Sequence, residues 1–157
     1  QAANPDLFIV CSYPLSSVGM VQTIHELNYK PKMVGGAMVG LQATVFKLRL
    51  GSKLNGITNY ETWVPAKTME YPGVNEFLAT YQGRAGAEGV DPLGYYLGTW
   101  GYAYAQLFEQ AIKGANSLED EKLAAYFRSA TFKTIMGDVK FGAQGEWAES
   151  RFIAENK

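Results

Sequence analysis

His25, Cys11, Glu61 and the glycine run "GRAGAEG", Gly83 to Gly89, are the places where this sequence could do chemistry. A general base needs a titrating partner within hydrogen-bond reach. His25 is the only histidine of the chain. The spacing Val18, Val21, Ile24, Leu27 puts it on the polar side of a helix beside Glu26, which reads as a solvated side chain. Glu61 stands near Trp63 with no second acid, which fits a solvated or hinge-bonded carboxylate better than a catalytic one. Cys11, the single cysteine, closes the apolar run Leu7 to Cys11 and reads as an inert core thiol. It allows no intrachain disulfide and leaves the redox compartment open. "GRAGAEG" follows a helical pattern rather than a strand, the wrong context for a phosphate cradle. There is no Gly-x-Ser-x-Gly elbow, no Walker loop, no metal-spaced Cys or His pair and no dinucleotide glycine fingerprint. The expectation is therefore no catalytic residue, no metal and no cofactor.

What remains is a set of corners where strands end in small or aromatic residues, and open α/β sheets bind ligands at the carboxyl ends of their strands. Ser12-Tyr13-Pro14 follows the first strand, Gly35-Gly36-Ala37-Met38 the second, and Trp63-Val64-Pro65 the third. Tyr13 offers a flat apolar face tipped by a hydroxyl, and a glycine pair lets backbone amides approach a ligand. The amides of Ser16 and Ser17 open a helix. This is a pattern for binding. An equally good reading makes Tyr13 and Trp63 core-edge aromatics and the glycines plain turns.

The elements that position these corners come from the first sixty residues, which alternate strand and helix as a parallel βαβ arrangement does. "LFIVC", Leu7 to Cys11, is a continuous apolar run with Pro5 and Pro14 on either side, suited to a central strand covered on both faces. A helix capped by Ser16 or Ser17 runs to about Asn28, a short strand spans Lys32 to Val34, and a helix carries Leu41, Val45, Leu48 and Leu50 before Gly51. Ile57 to Trp63 reads as the third strand. Beyond it three helical patterns follow. The first carries Val74, Phe77, Leu78 and Tyr81. The second starts at Asp91-Pro92 with Leu93, Leu97, Trp100, Tyr104, Leu107, Phe108, Ala111 and Ile112 on one face. The third is capped by Ser117 and carries Leu123, Tyr126 and Phe127. Thr134 to Phe152 reads as a hairpin.

The chain has 157 residues, 47% of them hydrophobic and 13% aromatic, enough for a packed core. Lys and Arg number 14 against 15 Asp and Glu, a net charge of −1 with no block of one sign, which argues against nucleic acid or an anionic membrane as partner. Thr99, Gln106 and Glu109 make the longest helical pattern too polar to span a bilayer. The first residues lack the basic and long apolar segments of a signal peptide, so the chain is expected to be either processed or intracellular.

Four stretches, in order, resemble the type I periplasmic solute-binding proteins of ABC transporters, the group of the leucine/isoleucine/valine-binding protein. "NPDLFIVCSYPLSSVGMVQTIHELNYKPKMVGG" is similar to that family's Asn-Pro-Asp strand, helix and following strand. "LNGITNYETWVP" resembles its return strand toward the hinge, "GYAYAQLFEQAIKGA" its long helix of the other lobe, and "TIMGDVKFGAQGEW" its closing Gly-x-Val-x-Phe-x-x-x-Gly hairpin.

The resemblance implies a non-enzymatic carrier, exported to the periplasm, that closes two lobes around a small solute and hands it to a membrane permease. It implies an α/β fold in which residues 1–62 form part of ligand-binding lobe 2. Residues 63–157 would supply the hinge crossing, the C-terminal helices of lobe 1 and the closing hairpin. In the family the first strand lies well past the middle of the chain, so this chain looks like the C-terminal half. The complementary N-terminal half, or a second copy of the chain, is then an expected partner. By the same resemblance Tyr13 is the ligand-stacking tyrosine, and Gly36, Ala37 and Met38 form the loop that touches the ligand. Trp63 is the further aromatic candidate. Where amino-acid binders carry an acid for the ligand's ammonium group, this chain has Ala37. A buried ammonium without a counter-charge is costly, so a carboxylate or amide, aromatic by preference, fits better than an ordinary α-amino acid. Two other readings remain: a ligand-sensing receptor or regulator domain of the same type I fold, and an open α/β enzyme whose catalytic residues lie on a missing segment.

Overall fold

The fold is that of a computed structural model, in which residues 5–149 are described. Its contacts divide the chain into two units. One is built from the first 62 residues with Ala85–Tyr96, the other from Trp63–Arg84 and the stretch from Leu97 on.

The first unit is a three-stranded parallel sheet in the order β1 (Leu7–Ser12), β2 (Met33–Met38), β3 (Ile57–Asn59). Parallel neighbours need a crossover, and α1 (Pro14–Glu26) supplies it between β1 and β2. After β2 a 3₁₀ turn (Val39–Gln42) leads into the short α2 (Thr44–Leu50), and Gly51, at φ +52°, stops that helix. Val18 and Val21 of α1 pack with Val10, Met38, Leu41 and Leu50 in one apolar cluster.

Only one face of this sheet is covered. Val10 is buried toward α1, whereas Leu7 and Ile9 are 59% and 58% exposed and Cys11 is exposed beside them. The expectation of a central strand buried on both faces, with Cys11 as a core thiol, is therefore corrected. Among the described residues β1 is an edge strand with a single helical layer on it.

Other boundaries move for identifiable reasons. The second strand does not stop at Gly35-Gly36 but runs through to Met38, with both glycines inside the pairing. A Cβ on Gly35 would stand 2.5 Å from Thr58 O, and one on Gly36 2.1 Å from Val10 O, so here glycine marks close strand approach rather than a turn. α1 begins at Pro14 with Tyr13 as its N-cap, not at the serines. The third strand ends at Asn59, because the Asn59 side chain takes over the ends of β2, as described below. In α2 Val45 and Leu48 point to solvent, so the expected apolar face keeps only its two ends, Leu41 and Leu50, in the core.

The second unit holds α3 (Val74–Ala85), most of α4 (Tyr95–Ala115), α5 (Asp120–Ser129) and an antiparallel pair, β4 (Thr131–Thr134) and β5 (Gly137–Lys140). The hairpin thus begins earlier than expected, and Phe141 bridges to Trp147 beyond it. Phe152 lies outside the described residues. The core joins Leu107 and Ala111 of α4 to Phe132 and Val139, with Phe127 and Phe141 packed against them. Phe127 and Phe132 rings sit 5.1 Å apart. Gln110 of α4 serves both backbone groups of Lys133: its Oε1 accepts from the Lys133 amide at 3.0 Å and its Nε2 donates to the Lys133 carbonyl at 2.8 Å.

α4 starts at Tyr95, three residues later than the Asp91-Pro92 signal, with Pro92 at the first helical position, predicts. The face it buries also differs. Thr99, Ala103, Leu107 and Ala111, at strict four-residue steps, are buried, while Leu97, Tyr104 and Phe108 of the expected stripe are exposed. No helix among the described residues is long and apolar enough to cross a membrane.

Candidate functional site

The carboxyl ends of β1 and β2 lie side by side, with Cys11 opposite Ala37 and Ser12 opposite Met38. Tyr13, the next residue along, is 79% exposed. Its backbone is fixed from behind: Pro14 sets the first turn of α1, and the fully buried Ser17 hydroxyl donates to Tyr13 O at 3.0 Å. The same Ser17 Oγ lies 2.9 Å from Ser12 Oγ and accepts from the Gly40 amide at 3.3 Å. One hydroxyl thus ties the end of β1, the start of α1 and the turn after β2. Gly40 has to be glycine for this, since a Cβ there would stand 2.6 Å from Pro14 Cα.

Asn59 does the corresponding work for β2 and β3. Its Oδ1 accepts from the Met38 amide at 2.9 Å, and its Nδ2 donates to Met38 O at 3.2 Å and Tyr60 O at 3.0 Å. Gln42 Nε2 donates to the same Tyr60 carbonyl at 3.1 Å. Side-chain amides have replaced the next rung of the sheet, so the edge is rigid without further strand.

Of the five candidate residues, the structure brings Tyr13, Gly36, Ala37 and Met38 to one end of β1 and β2. They do not all face the same way. Ala37 is exposed and pairs with Cys11, on the sheet face away from α1, as part of β2 rather than of a loop. Met38 is wholly buried in the α1 cluster, with its backbone held by Asn59, so its thioether is core. Gly36 sits inside β2, where its carbonyl accepts from the Tyr60 amide at 2.8 Å. Trp63 belongs to the second unit and is 2% exposed.

The acid after β3 is occupied. Lys47 Nζ lies 2.8 Å from Glu61 Oε1, which places Glu61 in an ion pair rather than facing a substrate. His25 Nε2 donates to Lys53 O at 2.8 Å, pinning α1 to the turn after α2. No group of three His, Cys, Asp or Glu side chains among the described residues is placed to hold a metal ion. Ser17, Asn59 and Asp91 carry much of the local order and were not singled out from the sequence for it. Asn59 had a signal, an Asn closing a short apolar run in "ITNYE".

An exposed aromatic ring thus follows the carboxyl end of a parallel strand, on a scaffold of a buried hydroxyl and side-chain amides. The fold is that of the type I periplasmic binding proteins. It matches the crystal structure of the leucine-binding protein LivK of Thermotoga maritima with a TM-score of 0.72 and 20% sequence identity, over 93% of this chain and 40% of LivK. The periplasmic binding protein family model matches residues 1–153, and the chain belongs to that family. It spans less than half the length of the LivK chain.

Proposed function

We propose that this chain is part of an extracytoplasmic solute-binding component of an ABC transporter, which holds a small carboxylate or amide against the Tyr13 edge and delivers it to a membrane permease. The observation that carries this reading is the exposed Tyr13 ring directly after β1, at the carboxyl ends of strands that pair in parallel up to Ser12 and Met38, in a chain of the periplasmic binding protein family. LivK is named for leucine, but the chemistry here favours a ligand without an α-ammonium group. Ala37 offers no charge, and Glu61 already pairs with Lys47. A desolvated ammonium would lack its counter-ion at a cost of several kcal/mol. Tyr13 would stack on the apolar or aromatic part of such a ligand, with Gly36 and Ala37 admitting it close to the backbone. The complementary N-terminal polypeptide is the proposed partner that completes the site.

The test is Tyr13→Ala in the protein carrying this chain together with that partner. Affinity for the transported solute, measured by calorimetry, is expected to fall by about 1–3 kcal/mol, the loss of one aromatic anchor. The exposed position of Tyr13 predicts little change in stability. Unchanged affinity would make Tyr13 a helix cap and nothing more.

A further inference from the structure

We infer that residues 85–96 form a strap that positions the loops at the carboxyl ends of β2 and β3, with Asp91 as the residue that fastens it. The segment lies between two stretches of the second unit in sequence yet packs with the first. Two polar ties hold it there. Asp91 Oδ2 accepts from the Thr44 amide at 3.0 Å, across 47 residues of sequence, while Asp91 Oδ1 accepts from the Leu93 amide at 3.0 Å and shapes the turn. Thr62 Oγ1 donates to Tyr96 O at 2.7 Å. Thr44 follows the Val39–Gln42 turn that leaves β2, and Thr62 follows β3, so the two ties fall on the two loops that edge the candidate site.

Packing does not explain how the strap is held. Ala85, Gly94 and Tyr95 near its ends are buried, but residues 86–90, Pro92 and Leu93 are all exposed. Gly86 and Gly89 face open space. Along this stretch the Asp91 carboxylate is an anchor that reaches the turn after β2. Partial burial raises its pKa, but the amides of Thr44 and Leu93, the Thr44 hydroxyl and the charge of Lys47 outweigh that and hold it below the usual value. The group is ionised at neutral pH, and hydrogen bonds to an ionised acceptor are among the stronger ones. The turn after β2 is consequently gripped at two points: Ser17 holds Gly40 from the α1 side, and Asp91 holds Thr44 from the strap side.

The inference rests on the proposed site lying at this edge, but its test involves no solute. A protein that bound nothing would refute the function proposed above and leave the strap result standing. The test compares the parent with Asp91→Ala by hydrogen exchange and by glutamyl-endopeptidase cleavage after Glu88. Losing a capping carboxylate should speed exchange at Thr44 and Leu93, and cleavage after Glu88, by roughly tenfold, with Val39–Gln42 accelerated as well. Amides of α1 should keep parental rates, which a general loss of stability would not allow. Asp91→Asn retains one carbonyl acceptor and should fall between the two; it is read by the same criteria if Asp91→Ala does not fold. Exchange at Thr44 within about twofold of the parent, or equal acceleration in α1, would overturn the inference.

Discussion

Purified by itself, the 157-residue chain is expected to sediment as a species larger than a monomer at micromolar concentration. The reason is two faces left bare within the described residues. On the first unit the face of β1 and β2 away from α1 exposes Leu7, Ile9, Cys11, Met33 and Ala37 in paired register. All-parallel sheets occur with both faces covered, and this one has helices on one. On the second unit α4 exposes Leu97, at 67%, with Tyr104 and Phe108 two helical turns and three helical turns further along the same side. Beside them a cavity of about 220 Å³ opens among Trp100, Tyr104, Leu107, Phe141 and Trp147. Contiguous apolar surface beyond a few hundred Å² drives association.

The proposed cover is the complementary polypeptide, and a second copy of the chain would substitute for it when the chain is alone. Leu97→Lys with Phe108→Lys should shift the isolated chain toward monomer without unfolding it, since neither side chain is in the core. Adding the complementary polypeptide should do the same by replacing self-association with a heterodimer. A parent chain that sediments as a monomer and unfolds cooperatively would mean that these faces need no partner.

Gly36→Ala should be among the most damaging single substitutions in the first unit. Gly36 has φ +143°, where L side chains are rarely found, and it pairs with Val10 in the middle of the β1–β2 register. An added methyl would meet Val10 O at 2.1 Å and Val10 C at 2.8 Å, both of them backbone that cannot move without parting the strands. Strain at a forbidden backbone conformation contributes of order 1–3 kcal/mol. With the disrupted register added, a loss above about 3 kcal/mol is expected from urea unfolding. Gly83→Ala is the control. It lies in α3 with nothing near its absent side chain, so alanine there should be neutral or stabilising by up to about 1 kcal/mol. A Gly36→Ala protein as stable as its parent would show that β2 pairs in another register.

How much of this could be read in the sequence depended on whether the deciding contact was local. The βαβ order, the Gly51 stop and the buried Val18 and Val21 followed from short-range patterns, and so did the parallel pairing of the ends of β1 and β2. Gly35 and Gly36 misled because a glycine that ends a strand and one that lets strands close up look the same in a string of letters. Asp91-Pro92 marks a turn just before α4, and the second partner of its carboxylate, the Thr44 amide, lies too far away in sequence for any local pattern to show. Met38 read as a loop residue because the strand was cut short at the glycines; in the fold it packs against α1. The exposed side of α4 looked like a buried face for a different reason. Its apolar stripe is real, and the described residues supply cover for only one edge of it.

The measurement that tests the central claim most directly is a thermal-shift screen of the protein assembled with its complementary polypeptide, against α-amino acids, aromatic and aliphatic carboxylates, and amides, with each active compound re-isolated afterwards. Binding to the native state alone raises the unfolding midpoint by mass action. The account predicts that at least one carboxylate or amide without an α-ammonium group shifts the midpoint upward, loses that effect in Tyr13→Ala, and is recovered chemically unchanged. A compound that shifts the midpoint and is converted, or a screen in which no class produces a shift, would contradict it.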